Sequence, residues 1–89
     1  MFKVEKDNNI VVLEIILPEN HTAAELVELA DIELKGLISE GRFYGMNVRI
    51  FGRLTTGMAM SMGHLLAHVC KSVEMFDPKE NRFYKVISH

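Results

Sequence analysis

The stretch Ile10-Val11-Val12-Leu13-Glu14-Ile15-Ile16-Leu17 is an almost unbroken apolar run, and Pro18 follows it directly. Its length and its β-branched side chains are typical of a strand, which a proline ends because it has no backbone N–H to donate. A strand this apolar is usually covered on both faces. We therefore expect it to lie centrally in a sheet or against another subunit.

The segments on either side of this strand predict a hairpin and a helix. Residues 2–5 form a short extended run, and the Asp and Asn residues within 6–9 supply the turn that joins it to the apolar strand. Further along, Thr22 and Glu25 have the spacing of a capping box, in which each side chain bonds the backbone amide of the other residue. The helix that begins there is amphipathic and ends at Gly41.

The second half of the chain predicts a strand, a helix and a closing hairpin. In the strand, Val48 and Ile50 lie on one face. The segments are strand 46–51, helix 58–71 with the apolar stripe Ala59, Met62, Leu66 and Val69, strand 73–76, turn 77–81 and strand 82–87. The order β-β-α-β-α-β-β predicts a single α+β domain over residues 1–89, with helices packed on a mixed sheet, ferredoxin-like in character.

Composition narrows the class of partner. Of the 89 residues, 48% are apolar and 25% are charged, which is the balance of a globular domain. The net charge of −2 gives no indication of a duplex DNA or membrane partner, so any phosphate site has to be a local patch. So small a domain, with six methionines, is expected to complete its burial as a homodimer.

Cysteine content and the first residues indicate a compartment. Cys70 is the single cysteine, so no intramolecular disulfide can form, and we interpret its side chain as part of the core. Charged residues follow Met1 closely, and no apolar stretch has the length of a signal peptide or a membrane span. The sequence therefore predicts a cytoplasmic protein.

Two histidines on the second helix form the most specific local pattern. His64 and His68 are four residues apart, so their imidazoles lie on one helical face at a spacing that suits a shared metal ion. An exposed or hydrogen-bonded histidine pair has the same spacing and is the more common case. The pattern alone does not decide between these two interpretations.

Three other positions each allow an ordinary role and a functional one. Asp77 can cap the turn at Pro78, or it can be an acid of an active site. Gly52-Arg53 can be a simple strand-to-helix turn, or an anion pocket formed by close backbone approach, a guanidinium and the next helix N-terminus. A terminal histidine such as His89 is normally frayed, but a last strand that ends beside Asp77 would deliver His89 to the same site, where its imidazole could bind metal or relay a proton.

The order of these pieces resembles a known family. From Gly45 to His89 the chain is similar to the CRISPR-associated Csx-three family of ring nucleases, which degrade cyclic tetra-adenylate, the second messenger of type III CRISPR antiviral defence. The hairpin and first helix agree with that family in layout only. The matching pieces are Val48-Arg49-Ile50-Phe51-Gly52-Arg53, Leu65-Leu66-Ala67-His68, Met75-Phe76-Asp77-Pro78 and Val86-Ile87-Ser88-His89.

The resemblance implies roles for individual residues. Asp77, His68 and His89 would be catalytic, and manganese would support activity. The ligand would be held by Gly52, Arg53, Thr55, Thr56 and Lys79, and the metal by His64, His68, Asp77 and His89, with His64 included only as a substitute from the previous helical turn. The family encloses its ligand between dimers, which implies a homodimer and a ligand-bridged tetramer.

Two departures from the family pattern leave an alternative open. Lys79 stands where the family has arginine, which keeps the charge but loses bidentate geometry. After His68 the family carries further histidines, whereas this chain has Val69-Cys70-Lys71-Ser72. A non-catalytic module that senses or sequesters a cyclic nucleotide is therefore the alternative to a nuclease, and a structural dimer without a nucleotide is a third possibility.

Overall fold

The fold is described from a computed structural model that covers residues 1–89. Its elements are β1 (Phe2–Asp7), β2 (Ile10–Ile15), α1 (Ala23–Ser39), β3 (Asn47–Gly52), α2 (Thr56–Ala67), β4 (Ser72–Asp77) and β5 (Arg82–Ser88). The predicted α+β class and the order β-β-α-β-α-β-β are confirmed. Two helices pack on one mixed, five-stranded sheet in the ferredoxin-like manner.

The strands lie side by side in chain order. β2, β3 and β4 are parallel, and β1 and β5 flank them as antiparallel edge strands. The three parallel strands therefore end together, near Ile15, Gly52 and Asp77, and we call this side of the sheet the carboxyl edge. The opposite side, where these strands begin and both helices end, is the amino edge.

The core lies between the helices and one face of the sheet. Alternate residues of β2 and β3 point into it, among them Val11, Leu13 and Val48, and they are fully buried. From α2 the buried side chains are Met58, Met62 and Leu66. Because successive crossovers from β2 to β3 to β4 move in one direction and are right-handed, both helices pack on the same face.

This arrangement corrects the expectation that β2 is covered on both faces. Its residues alternate between half-buried and buried, and Ile10, Val12 and Glu14 lie on the face that neither helix covers. We call this the open face of the sheet. The apolar run of β2 is thus covered by helices on one side only within a single chain.

The start and the end of α1 are as predicted. The Glu25 amide donates to Thr22 Oγ1 at 3.1 Å, and the Thr22 amide donates to Glu25 Oε1 at 2.7 Å. The bond from the Thr22 backbone amide is the main reason that the pKa of Glu25 is lowered. Gly41 follows the helix with a φ of +82°, a conformation that glycine adopts without strain.

The predicted bounds of α2 are wrong by several residues. The helix begins at Thr56 and ends at Ala67, so Val69 lies outside it, and Met58 rather than Ala59 is buried. The reason is tertiary: Lys71 donates its amide to the Met46 carbonyl at 2.8 Å, which starts the pairing of β4 with β3. The chain must leave the helix before that point.

The burial of Cys70 agrees with its expected place in the core. Cys70 is 5% exposed, and burial raises the pKa of its thiol to about 11. It is therefore an unreactive part of the core. Neither helix has the length and the apolar character needed to cross a membrane.

Candidate functional site

Gly52 closes β3 at the carboxyl edge in a geometry that excludes any other residue. Its φ is +110°, and a Cβ added there would lie 2.5 Å from the Ile15 carbonyl oxygen. The backbone of β3 therefore leaves the sheet in close contact with the end of β2. Arg53 follows at once, and its side chain is exposed.

The start of α2 lies just beyond this turn. Thr55 is the N-cap, and its Oγ1 accepts a hydrogen bond from the Met58 amide at 3.1 Å. The first turn of the helix contains no acidic residue. Its leading amides and the positive end of the helix dipole therefore face solvent without a carboxylate to compensate them, which favours an anion.

The turn after β4 brings Asp77 and Lys79 to the same edge. The last pair in the β3–β4 ladder is Ile50–Met75, and Gly52 and Asp77 lie two residues beyond it in their strands. Asp77 Oδ1 accepts from the amide of Lys79 at 2.9 Å and, more weakly, from the next amide at 3.4 Å. Asp77 therefore does cap its turn, and the second carboxylate oxygen is left for other partners.

The predicted ligand-binding residues thus gather at one edge of the sheet. This group, which we call the anion corner, comprises Gly52, Arg53, Thr55, Thr56, Asp77 and Lys79. Positive charge comes from a guanidinium, an ammonium group and a helix N-terminus, and the turn that carries Lys79 also carries the carboxylates of Asp77 and Glu80.

The histidines lie at the amino edge instead. The rings of His64 and His68 meet edge to face with their centroids 4.9 Å apart near the end of α2. His89 is not frayed: its amide donates to the Lys71 carbonyl at 3.1 Å, and its Nε2 bonds the Ala67 carbonyl at 2.9 Å. This last bond satisfies one of the free carbonyls at the end of α2.

The expectation that β5 delivers His89 beside Asp77 is wrong. β5 runs antiparallel to β4, so Arg82 pairs with Asp77 and Ser88 pairs with Ser72. Ser72 and Asp77 stand at opposite ends of a six-residue strand, roughly 17 Å apart at about 3.3 Å per residue. Within one chain, His68 and His89 therefore do not meet the anion corner.

The distance between the two edges of the sheet also determines whether the four predicted metal ligands can bind one ion. Of the four predicted ligands, His64 and His68 are neighbours, whereas Asp77 lies at the other edge. No group of three or more His, Cys, Asp or Glu side chains in the chain is arranged to hold a metal ion. The residues implied by the resemblance do not form a manganese site in a single chain.

Sequence reasoning missed two polar and aromatic features. In the groove between the helices, the Ser61 hydroxyl donates to the Asp31 carboxylate, and His64 lines the same groove. On the open face, Phe76 and Phe83 meet edge to face with a centroid distance of 5.2 Å. The alternation along β4 and β5 could have placed these two phenylalanines on that face.

No protein-family model matches the chain, and neither does any curated protein or solved structure. Membership of the ring nuclease family therefore stays a prediction that depends on the motifs between residues 45 and 89.

Proposed function

We propose that the protein is a cytoplasmic ring nuclease that binds and cleaves cyclic tetra-adenylate and so switches off type III CRISPR signalling. The observation that carries the proposal is the anion corner, where Gly52-Arg53, the start of α2 and the Asp77 turn lie at one edge. Ligands of sheets with parallel strands commonly bind outside the carboxyl ends of those strands. The anion corner occupies that position.

The anion corner has the groups needed to hold a phosphodiester. Arg53 can offer a bidentate fork to two phosphate oxygens, and Lys79 adds a second charge. The uncompensated amides of α2 add donors that need no reorganisation when negative charge develops on the phosphate. Gly52 lets the end of β3 pass against the Ile15 backbone, and this close passage fixes where Arg53 begins.

Cleavage also needs a proton acceptor and a proton donor. The attacking oxygen forms a bond to phosphorus and loses its proton, while the bond to the leaving oxygen breaks and that oxygen gains a proton. The free carboxylate oxygen of Asp77 can accept the first proton. A histidine can supply the second, but His68 and His89 lie at the other edge of the chain.

The proposal therefore includes an active site completed between copies. The anion corner of one homodimer would face the amino edge of another, with the cyclic ligand between them, as in a ligand-bridged tetramer. This arrangement uses both edges and explains how residues roughly 17 Å apart in one chain, at about 3.3 Å per strand residue, can serve one reaction.

A manganese requirement is a separate part of the proposal. Bound manganese would supply Lewis-acid stabilisation of the phosphate charge. Because the predicted ligands do not lie together in one chain, no step is assigned to the metal. A cleavage assay with EDTA, and then with added manganese, tests the requirement directly.

One incubation tests the proposed function. The protein is mixed with cyclic tetra-adenylate, with and without manganese, and the products are separated by chromatography. Linear products support a nuclease, and binding without linear products supports the sensor. The absence of both binding and cleavage supports a structural dimer. A specific observation favours the sensor as second candidate: Asp77 caps its turn, and His68 and His89 lie at the other edge of the same chain.

A further inference from the structure

The open face of the sheet carries a row of three aromatic side chains. Phe51, Phe76 and Phe83 lie on three adjacent strands, and each is only half-buried although no helix covers this face. Phe76 pairs with Phe83 across β4 and β5, and their rings are 5.2 Å apart. Phe51 lies one residue beyond Ile50, whose partner Met75 precedes Phe76, so the three residues are level across the sheet.

This aromatic row lies next to the anion corner. Phe51 immediately precedes Gly52-Arg53, and Phe76 immediately precedes Asp77. Adjacent strands are about 4.8 Å apart, so the row and the carboxyl edge are close together. A planar ligand that stacks on the row can therefore place an attached phosphate beside Arg53. A nucleotide has this combination of an anionic group and an aromatic ring.

A polar groove borders the row on its β2 side. Glu14 is the register partner of Phe51, and both side chains line a groove with Lys3 and Val12. An ionised carboxylate accepts hydrogen bonds but cannot donate them. Next to a ring-stacking residue it suits a base with an exocyclic amino group, such as adenine, rather than one that presents a carbonyl oxygen.

The charge balance of the open face argues against a long nucleic acid. Its basic side chains each lie beside a carboxylate: Lys3 is opposite Glu14, Arg49 bonds Glu74 at 2.9 Å, and Lys85 is also opposite Glu74. Binding of a polyanion along the face would need an excess of positive charge. A small ligand with its phosphates at the rim and only its bases on the face meets no such requirement.

We propose that the open face is a nucleobase platform, on which Phe51, Phe76 and Phe83 stack adenine while Glu14 accepts a hydrogen bond from its amino group. The proposal rests on the proposed function, because it assigns the bases of the same ligand whose phosphates are at the anion corner. Aromatic rows on open sheet faces bind bases in this way because every base has a π-face. Arg49, whose guanidinium lies 5.2 Å from the centre of the Phe83 ring, orders the outer end of the row.

The test is a nuclear magnetic resonance titration of the intact protein with two probes, cyclic tetra-adenylate and adenosine monophosphate. Stacking predicts upfield shifts of the Phe51, Phe76 and Phe83 ring protons with both probes. Shifts confined to the anion corner would overturn the platform and leave the proposed function standing. Ring shifts with the monophosphate alone would support the platform and contradict the proposed function. The absence of shifts with either probe would overturn both proposals.

Variants distinguish stacking from ionic binding. Phe51→Leu should weaken binding of cyclic tetra-adenylate about tenfold, which is within the range for the loss of one stacked base, and leave the salt dependence of affinity unchanged. Glu14→Gln should reduce the preference for adenosine over inosine monophosphate. Ile32→Ala is the control, because Ile32 is a large apolar side chain that is 72% exposed on α1, on the side of the sheet away from the open face.

A second copy of the chain is the competing occupant of the open face. Sedimentation of the Phe51→Leu and Ile32→Ala variants distinguishes the two. Dissociation of a dimer by Phe51→Leu, with unchanged affinity for nucleotide, would make the face a subunit interface and overturn the platform. An unchanged sedimentation coefficient together with the tenfold loss of affinity would support it.

Discussion

The two edges of the sheet differ in how their chemistry is assembled. At the carboxyl edge, Gly52 and Thr55 follow each other closely in the chain, and the parallel pairing of β3 with β4 brings the distant Asp77 to the same edge. At the amino edge, His64, His68 and His89 gather around the end of a single helix. Motifs that follow one another along a chain therefore need not share a site, because neighbouring strands can end at opposite edges of the sheet.

The edges also differ in what holds them in place. The anion corner depends on a positive φ at Gly52 and on two side-chain caps, that of Thr55 on the start of α2 and that of Asp77 on its turn. The amino edge depends on the backbone bonds from Lys71 to Met46 and from His89 to Lys71, together with the 2.9 Å contact from His89 to Ala67. Substitutions should therefore separate binding, catalysis and stability in different ways at the two edges.

The largest expected effect is at Asp77. Asp77→Asn should reduce cleavage of cyclic tetra-adenylate at least about a hundredfold, because an amide cannot accept the proton that the carboxylate accepts. The free energy of unfolding should fall by only about 1 kcal/mol, since asparagine can still cap the turn. Chromatographic turnover and urea unfolding measure the two effects. Unchanged turnover would return Asp77 to a purely capping role.

Gly52→Ala should break the geometry of the carboxyl edge. The added Cβ would meet the Ile15 carbonyl oxygen at 2.5 Å in a backbone conformation that alanine avoids. We expect a loss of about 2 kcal/mol or more in the free energy of unfolding, measured in urea.

Gly36→Ala is the matched control for this change. Gly36 lies inside α1 and has no atom within 4 Å of an added Cβ. That variant should gain up to about 1 kcal/mol from helix propensity. An equal response of the two variants would show that the contact with Ile15 does not restrict Gly52.

Arg53→Ala should weaken ligand binding about tenfold, in line with the loss of one charge-assisted contact of about 1.5 kcal/mol. The fold should be unaffected because the side chain is exposed. A calorimetric titration at two salt concentrations measures the effect. Lys35→Ala is the control, because Lys35 is also an exposed cation but pairs with Asp31 on α1 at 3.8 Å. Equal affinities of the two variants would move the ligand away from the anion corner.

Removal of His89 should have the smallest effect and sharpen the comparison at the amino edge. We expect cleavage to fall about tenfold, or about 1.4 kcal/mol of barrier. The free energy of unfolding should fall by about 1 kcal/mol because the Ala67 carbonyl loses its partner. His89→Gln is the control, since its amide can keep that bond but cannot transfer a proton. If His89→Gln restores the rate as well as the stability, His89 acts through structure alone.

The sequence predicted best what depends on neighbours in the chain. Thr22 and Glu25 are three residues apart, so their capping box could be recognised and is present. The end of α2 could not be predicted in this way, because it depends on the bond from Lys71 to Met46, which joins residues 25 positions apart. The position of His89 was available in principle: the turn at 77–81 makes β4 and β5 antiparallel, which carries residue 89 back toward the start of β4.

The split site was beyond the reach of the motifs for a physical reason. The order of the motifs along the chain predicts where strands and helices end. It does not predict at which edge of the sheet each of these ends lies. Direction is fixed by pairing, and β2–β3–β4 pair in parallel while β5 reverses. The anion corner follows from the parallel part, and the displaced histidines follow from the reversal.

Mixing two inactive variants tests whether the active site forms between copies. Asp77→Asn damages the carboxyl edge, and His68→Ala damages the amino edge, so each variant alone should cleave cyclic tetra-adenylate slowly. If the active site forms between copies, an equimolar mixture contains pairings of an intact anion corner with an intact amino edge. The mixture should then recover a substantial fraction of the wild-type rate. A mixture no more active than the average of the two variants would contradict it.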